Sequence, residues 1–310
     1  MLDNNSYSAH RLAELVSDTT DLASIDAFVE KVFDTCHRAD ELLRSYYSNP
    51  DAVDVSQKAD DSPVTAADHA SHECWVEALA ALTPSIPVLS EESTAAELEQ
   101  RRQWQRLWVL DPLDGTKEFI ARTGEFTINL ALVDEERPVL GLISVPMQRL
   151  WYLGIPGVGA WRFRSAEGLR NPTTLKLTDF GSNSGVTLLA SARHHPGRVS
   201  LMMTQLEPLG TPVSRENAGS ALKFCRMLDG DGDVYPRTSP CYEWDVAAGD
   251  ALVSAAGGAV TTYAGEPLRY NCRDTLLVDD FIAVADPTVD YLSVLADEHG
   301  NRLVSPKSGE

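Results

Sequence analysis

Residues 107–120 read LWVLDPLDGTKEFI, and the rest of the chain is organised around them. Leu107 to Leu110 is an apolar run long enough for a buried strand. Asp111 stands where that strand should end, and Pro112 removes a backbone donor and stiffens the exit. Asp114 follows three residues later, and Gly115 permits a tight turn. Thr116, Lys117 and Glu118 can open a helix, with apolar Phe119 and Ile120 behind them. The stretch thus sets two carboxylates on a strand-to-helix turn whose free N–H groups point the same way. Carboxylate oxygens suit a hard cation such as Mg²⁺, and amides at a helix start suit a phosphate. In isolation Asp114-Gly115 is as readily a hairpin turn, so the flanking chain has to decide.

Upstream, residues 1–20 are polar and read as an extension. Leu22, Ile25, Phe28, Val32, Cys36, Leu42 and Tyr46 recur at helical spacing and predict an amphipathic helix over 21–47. A second helix is expected over 66–82, with Thr65 as N-cap and Asp68 in its first turn, where the helix dipole favours a carboxylate. Val88-Leu89-Ser90 reads as a short strand ending in Glu91-Glu92, followed by a charged helix over 95–106. Downstream, short apolar runs at 127–133, 139–145, 151–154, 159–164 and 173–177 suggest an antiparallel meander. From 186 the texture changes to strand, loop, helix, strand: a strand over 186–190, helices over 198–206 and 219–228, and a small-residue helix over 246–256. Asp245 then falls at a helix N-terminus, an ordinary N-cap position. Strands at 259–263 and 281–284 and a helix at 290–295 close the chain. The expected organisation is an extension (1–20), an α+β domain with most of the acids (21–183) and an α/β domain carrying Asp245 (184–310).

The net charge of −20 argues against non-specific binding to nucleic acid or an anionic membrane. An acidic chain can still hold an anion where cations reverse the local field. No apolar run of about 18 residues suggests a transmembrane helix, leaving at most peripheral membrane association. The N-terminus lacks the basic and apolar regions of a signal peptide. Five cysteines with no C-x-x-C pair fit free thiols in a reducing cytoplasm.

Glu91, Asp111, Asp114 and Asp245 each lie at a strand end or helix start, where α/β proteins place their sites. No His or Cys shares these turns, which favours Mg²⁺ or Mn²⁺ over Zn²⁺. Four carboxylates exceed the charge of one divalent ion; two ions would bridge a phosphate, activate a water and stabilise the leaving oxygen. No Ser, Cys or His is placed as a nucleophile, so direct attack of water without a phosphoenzyme is expected.

Ser62-Pro63-Val64-Thr65-Ala66-Ala67-Asp68, Leu89-Ser90-Glu91-Glu92, the segment 108–119 and Glu243-Trp244-Asp245-Val246-Ala247-Ala248-Gly249 resemble the signatures of the lithium-sensitive, Mg²⁺-dependent inositol monophosphatase superfamily. More narrowly, Gly219-Ser220-Ala221-Leu222-Lys223-Phe224-Cys225 and Tyr235-Pro236-Arg237 resemble its 3′(2′),5′-bisphosphate nucleotidases of bacterial CysQ type. The resemblance implies a layered α/β/α/β/α sandwich of the sugar-phosphatase type. It implies two or three Mg²⁺ ions, with Mn²⁺ as a substitute, held by Glu91, Asp111, the Leu113 carbonyl, Asp114 and Asp245. The amides of Gly115 and Thr116 would cradle the phosphate, and Thr116 with Asp68 would polarise the attacking water. Ser220, Lys223, Arg237 and His195 would hold the nucleotide. The implied substrate is 3′-phosphoadenosine 5′-phosphate (PAP), giving AMP and phosphate, with the sulfated relative PAPS as a second candidate. A monomer or a homodimer fits equally. Residues 238–242 (TSPCY) depart from the Gly-Pro-Thr-containing loop usual in such enzymes.

Other readings compete. Ser220-x-x-Lys223 is also the nucleophile motif of β-lactamases, but no Ser-Asp-Asn or Lys-Thr-Gly accompanies it. Asp229-Gly-Asp231-Gly-Asp233 opens like a calcium loop, but Val234 and Pro240 occupy the positions that need Gly and Glu, so a solvated turn is expected. His194-His195 has no partnered ligand spacing. An inositol monophosphatase or fructose-1,6-bisphosphatase of the same fold stays open, as does a non-catalytic nucleotide or metal sensor.

Overall fold

The computed structural model describes residues 22–49, 55–57, 63–177, 185–191, 196–210 and 212–295. The helix α1 (Leu22–Ser48) leads to a two-stranded hairpin, β1 (Val55–Gln57) with β2 (Pro63–Thr65), and then to α2 (Ala66–Leu82). β3 (Val88–Ser90), α3 (Ala95–Gln100), β4 (Arg106–Asp114), α4 (Thr116–Ile120), β5 (Thr127–Asp134), β6 (Arg137–Val145), β7 (Leu150–Ile155), β8 (Gly159–Arg164) and β9 (Thr173–Leu175) follow. Strands β3 to β9 lie side by side in sequence order as one seven-stranded sheet, antiparallel except for the β3–β4 pair. The remaining chain adds β10 (Val186–Ala190), α5 (Pro196–Leu206), β11 (Val213–Asn217), α6 (Leu222–Leu228), β12 (Val234–Arg237), α7 (Glu243–Ala255), β13 (Ala259–Thr262), β14 (Phe281–Val284) and α8 (Tyr291–Val294). Its five strands order as β11-β10-β12-β14-β13.

Side-chain alternation along the strands builds the layers. In β4, Trp108 and Leu110 face α1 and α2, while Leu107 and Val109 face the opposite way, towards α6 and α7. β5 and β6 repeat the pattern, with Leu130 and Leu142 outward and Val133 and Ile143 inward. The second sheet supplies Leu189, Tyr235 and Phe281 to the same inner core, and its other face packs Leu188 and Ile282 against α5 and α8. The result is the expected α/β/α/β/α sandwich, with α6 and α7 between the sheets.

The seating of α7 decides where the site forms. On the inner face of the first sheet, Gly141 and Gly154 occupy positions where a side chain would collide with this helix. A Cβ on Gly141 would lie 2.3 Å from the Ala248 carbonyl oxygen, and one on Gly154 would lie 2.7 Å from the Leu252 Cα. Two glycines on the sheet and the small residues Ala247, Ala248 and Ala251 on the helix let the backbones meet. The N-terminus of α7 is thereby held over the end of β4.

Several boundaries differ from expectation for physical reasons. β4 does not stop at Asp111 but runs to Asp114 through a bulge. Pro112 is tolerated because β3 pairs only as far as Leu110. The charged helix is shorter than 95–106: after α3 the chain tightens into a 3-10 turn at Arg101–Gln103. Buried Arg101 is drawn inward to bond Asn271 and the carbonyls of Arg273 and Asp274. The helix expected from 219 begins at Leu222, because Gly219 to Ala221 form a turn with Ser220 at φ +43°. The turn at 229–233 is solvated over Asp229 to Asp231, as expected, but it is also anchored: Asp229 accepts from Tyr152 and Arg162, and buried Asp233 from the Thr187 N–H. Strands β11 and β12 and the β1–β2 hairpin were not predicted, since VSREN is a polar edge strand and VYPR contains a proline. The N-terminal extension (1–20) lies outside the described residues, as does almost all of the boundary expected at 181–185.

Candidate active site

The bulge at the end of β4 turns both of its acids towards α7. Asp111 is buried and accepts the Leu113 N–H at 3.0 Å, an Asx-type closure made possible by the Pro112 break. The Pro112 carbonyl accepts Ser71 Oγ at 2.7 Å, tying the bulge to α2. Gly115 then turns the chain at φ +94°, and α4 begins. A Cβ there would sit 3.0 Å from the Glu125 carbonyl oxygen, so sterics and dihedral both require glycine.

Asp245 comes from the opposite side. It is not the N-cap of its helix: Tyr242 holds that place, and Asp245, in the first turn, reaches back to accept the Tyr242 N–H at 2.9 Å. Carboxylate oxygens of Asp111, Asp114 and Asp245 lie within 4.8 Å of one another. Glu91 follows β3, anchored by its N–H to the Leu110 carbonyl at 3.1 Å. It stands outside this closest trio, but its charge acts on Asp111 and Asp245.

These like charges are crowded and poorly hydrated. Burial pushes the Asp111 carboxyl well above the usual carboxylate range, and the charges of Glu91, Asp114 and Asp245 add to the shift. Burial, then Asp114, pushes Asp245 up to about 7. Asp114 is raised by burial and restrained by the nearby Lys223 charge and by hydrogen bonds. An oxygen-only cluster of this density fits a hard divalent cation, which turns mutual repulsion into ligation.

Asp68 and Thr116 meet beside the cluster. The Thr116 hydroxyl donates to Asp68 Oδ1 at 3.1 Å and lies 3.3 Å from the Leu113 carbonyl. The other Asp68 oxygen accepts the Thr65 N–H at 2.8 Å and the Thr65 hydroxyl at 2.6 Å, closing the capping box of α2. Asp68 is thus both a helix-capping residue and the partner of Thr116. Burial raises its pKa.

From the cluster a cleft of about 410 Å³ opens along the C-terminal ends of the second sheet's strands. The strand order reverses beside β10, which pairs β11 on one side and β12 on the other, a topological switch point of the kind that holds ligands. Ser191 follows β10, Gly219 and Ser220 follow β11, and Arg237 ends β12; all line the cleft with Gly115, Thr116 and Lys223. Lys223 is only 2% exposed and donates to the carbonyls of Ala218 (3.1 Å) and Ser220 (2.7 Å). Burial, then the Arg237 charge, pulls its pKa down to about 8. Arg237 donates to the carbonyls of Ser239 and Pro240, so the unusual TSPCY loop is what this guanidinium holds in place. His195 lies outside the described residues.

Asn129 is a site residue that motif reading missed. Its amide donates to Asp114 Oδ2 at 3.1 Å, joined on that oxygen by the Ala221 N–H at 2.6 Å. A signal existed: Thr127 and Asn129 are the two polar residues on the inner face of an otherwise apolar β5.

Fold and cluster together define a class: the chain belongs to the inositol monophosphatase family, whose profile matches residues 25–295, and it is a phosphatase of this metal-dependent family. Within that class it is 38% identical over 253 residues to the 3′(2′),5′-bisphosphate nucleotidase CysQ of Escherichia coli K12, covering 82% of this chain and 98% of the relative. Among solved structures, CysQ from Bacteroides thetaiotaomicron, a bacterial member of the inositol monophosphatase family, is 34% identical. It superposes with a TM-score of 0.67 over 91% of this chain and 98% of its own. The inositol monophosphatase of Thermotoga maritima shares the fold at 21% identity, with a TM-score of 0.65 and coverage of 85% and 94%.

Proposed function

We propose that this chain is a Mg²⁺-dependent 3′(2′),5′-bisphosphate nucleotidase that removes the 3′-phosphate of PAP, leaving AMP and phosphate, with PAPS as a second substrate. The observation that carries this reading is the identity to CysQ along nearly the whole relative, joined to a cleft that runs from the acidic cluster to two cations, the buried Lys223 and the half-buried Arg237. Asp111, Asp114 and Asp245, with Glu91 and the Leu113 carbonyl beside them, would hold the ions. Bound there, Mg²⁺ or Mn²⁺ supplies Lewis-acid polarisation of the phosphate and acidification of water.

The rest falls to the chain's own groups. The backbone N–H groups of Gly115 and Thr116 orient the scissile phosphate. The Thr116 hydroxyl gives its hydrogen to Asp68, so its oxygen can accept a hydrogen bond from the attacking water. Asp68, made more basic by burial, receives the proton through that contact. Lys223 and Arg237 give the far wall of the cleft a positive potential that suits a second phosphate in an otherwise acidic protein, and Ser220 adds a hydroxyl there. The five free cysteines support a reducing, cytoplasmic setting. Among the described residues no helix is long and apolar enough to cross a membrane.

Phosphate release from PAP, PAPS, inositol 1-phosphate and fructose 1,6-bisphosphate tests the assignment, with a single turnover in ¹⁸O-water to test direct attack. PAP should give the highest kcat/KM, and one ¹⁸O should enter the released phosphate. A preference for inositol 1-phosphate would replace the nucleotidase reading by the inositol monophosphatase one, and a trapped phosphoenzyme would overturn direct attack.

A further inference from the structure

The turn between β11 and α6, Ala218 to Ala221, bears directly on Asp114. Its Ala221 N–H donates to Asp114 Oδ2 at 2.6 Å, shorter than the Asn129 contact on the same oxygen. The turn is strained: Ser220 holds φ +43°, a left-handed conformation that costs a non-glycine residue about 1–2 kcal/mol. Such a conformation persists only where its surroundings over-determine it. Two side chains do so here. Lys223 Nζ reaches back from the first turn of α6 to the Ala218 and Ser220 carbonyls, and Glu125, from the first-sheet side, accepts the Gly219 N–H at 3.2 Å. The third side of the ammonium faces the Tyr235 ring, 5.3 Å from its centroid. Lys223 is therefore built into the protein rather than extended towards a ligand.

We propose that Lys223 and Glu125 are positioning residues. By clamping the Ser220 turn from opposite sides, they aim the Ala221 N–H at Asp114 and hold that carboxylate in the geometry in which it binds a divalent cation. The inference rests on the proposed metal role of Asp114. Its mark is a sign. The Lys223 charge lies close enough to Asp114 to favour its ionised form. By Coulomb's law alone, removing a positive charge beside a cation site tightens cation binding. Loss of the clamp loosens it.

Mn²⁺ is titrated calorimetrically into the metal-stripped full chain for the parent, Lys223→Met, Glu125→Ala and Glu125→Gln, with circular dichroism recording the fold of each. Lys223→Met and Glu125→Ala should each weaken Mn²⁺ binding about tenfold, the lower end of what outer partners of metal ligands contribute. Glu125→Gln should bind like the parent, because its amide oxygen can still accept the Gly219 N–H. Mn²⁺ binding by Lys223→Met that is unchanged or tighter would overturn the proposal, as would equal effects of the two Glu125 substitutions. Should Lys223→Met not fold, the Glu125 pair decides alone. If the parent takes up no Mn²⁺, the metal reading falls and this inference with it. If the parent binds and the variants match it, only the clamp is lost.

Discussion

Substituting Gly141 by alanine adds one methyl group that meets α7 at Ala248, three residues beyond Asp245, and it should disable the protein without altering any acid of the site. The new Cβ would lie 2.3 Å from the Ala248 carbonyl oxygen and 2.8 Å from the Ala251 Cβ. Ordinary contact begins near 3.4 Å, so sheet and helix must part by about 1 Å. Neither neighbour can swing aside, because one is backbone and the other a Cβ fixed to it. Overpacking of a rigid core costs about 1–3 kcal/mol. At roughly 2–4 °C per kcal/mol for a chain of this size, the unfolding midpoint should fall by about 5 °C.

The catalytic effect should exceed the loss of stability. α7 carries Asp245 in its first turn, and Asp111 and Asp114 stand on the sheet from which it would retreat. A displacement of about 1 Å at a reacting centre is worth roughly a hundredfold in rate. Gly141→Ala should therefore stay folded at 25 °C, turn over about a hundredfold more slowly, and bind Mn²⁺ less tightly. Gly197→Ala is the control, since a Cβ there meets nothing within 4 Å and the position is helical. It should be neutral or stabilising by about 0.4–1 kcal/mol. Thermal unfolding, steady-state kinetics and Mn²⁺ calorimetry on both variants make the comparison. Parent-like turnover in Gly141→Ala would refute the idea that helix seating sets the site.

Three further outcomes are expected. Asp114→Asn keeps shape but removes charge from the cluster and should slow kcat about a hundredfold or more, with only partial recovery in excess Mg²⁺; near-normal turnover would reduce Asp114 to a turn residue. Arg237→Ala should lower kcat/KM for PAP about tenfold or more, and much less for inositol 1-phosphate, which has no second phosphate; equal losses would remove Arg237 from substrate selection. Metal-stripped protein should lose stability as pH rises from about 4 to about 7, because carboxyls with raised folded-state pKa values make the native state bind more protons than the unfolded one. Asp40, Glu243 and Asp250 are each pushed up to about 6 and Asp245 to about 7, chiefly by burial, so that stabilisation is complete only below the unfolded value near 4 and drains through this window. Unfolding midpoints that climb with pH in the absence of metal would contradict this.

Much of the fold was legible because its determinants are local. Thr65 as N-cap with Asp68 in the first turn placed the start of α2, and the short apolar runs of β5 to β8, separated by Gly, Pro or charged breaks, placed the meander. What escaped depends on distant partners. β12 is a strand only because β14 pairs it along its length, while β10 pairs it at Val234 alone and leaves the Pro236 side without need of a donor. The helix expected to reach Arg106 ends early because Arg101 finds Asn271, 170 residues away. No window of sequence contains both ends of such a contact.

The same division runs through the site. Residue type and turn position single out Glu91, Asp111, Asp114 and Asp245 as candidate oxygen ligands, because each stands at a strand end or a helix start and no His or Cys shares those turns. They do not reveal what a buried lysine does. From spacing alone, Lys223 is a positive charge beside a cleft, and the chemistry of an anionic substrate claims it at once. In the folded chain it lies beneath the cleft wall, with its hydrogens turned to main-chain carbonyls. Its charge still contributes to the field in the cleft, but its hydrogen bonds belong to the turn that meets Asp114. Field and geometry are thus carried by one ammonium, and on cation affinity their losses act with opposite sign. A fall in cation affinity therefore reports the geometry, while substrate selectivity reports the field, so the two roles can be measured apart in the same variant.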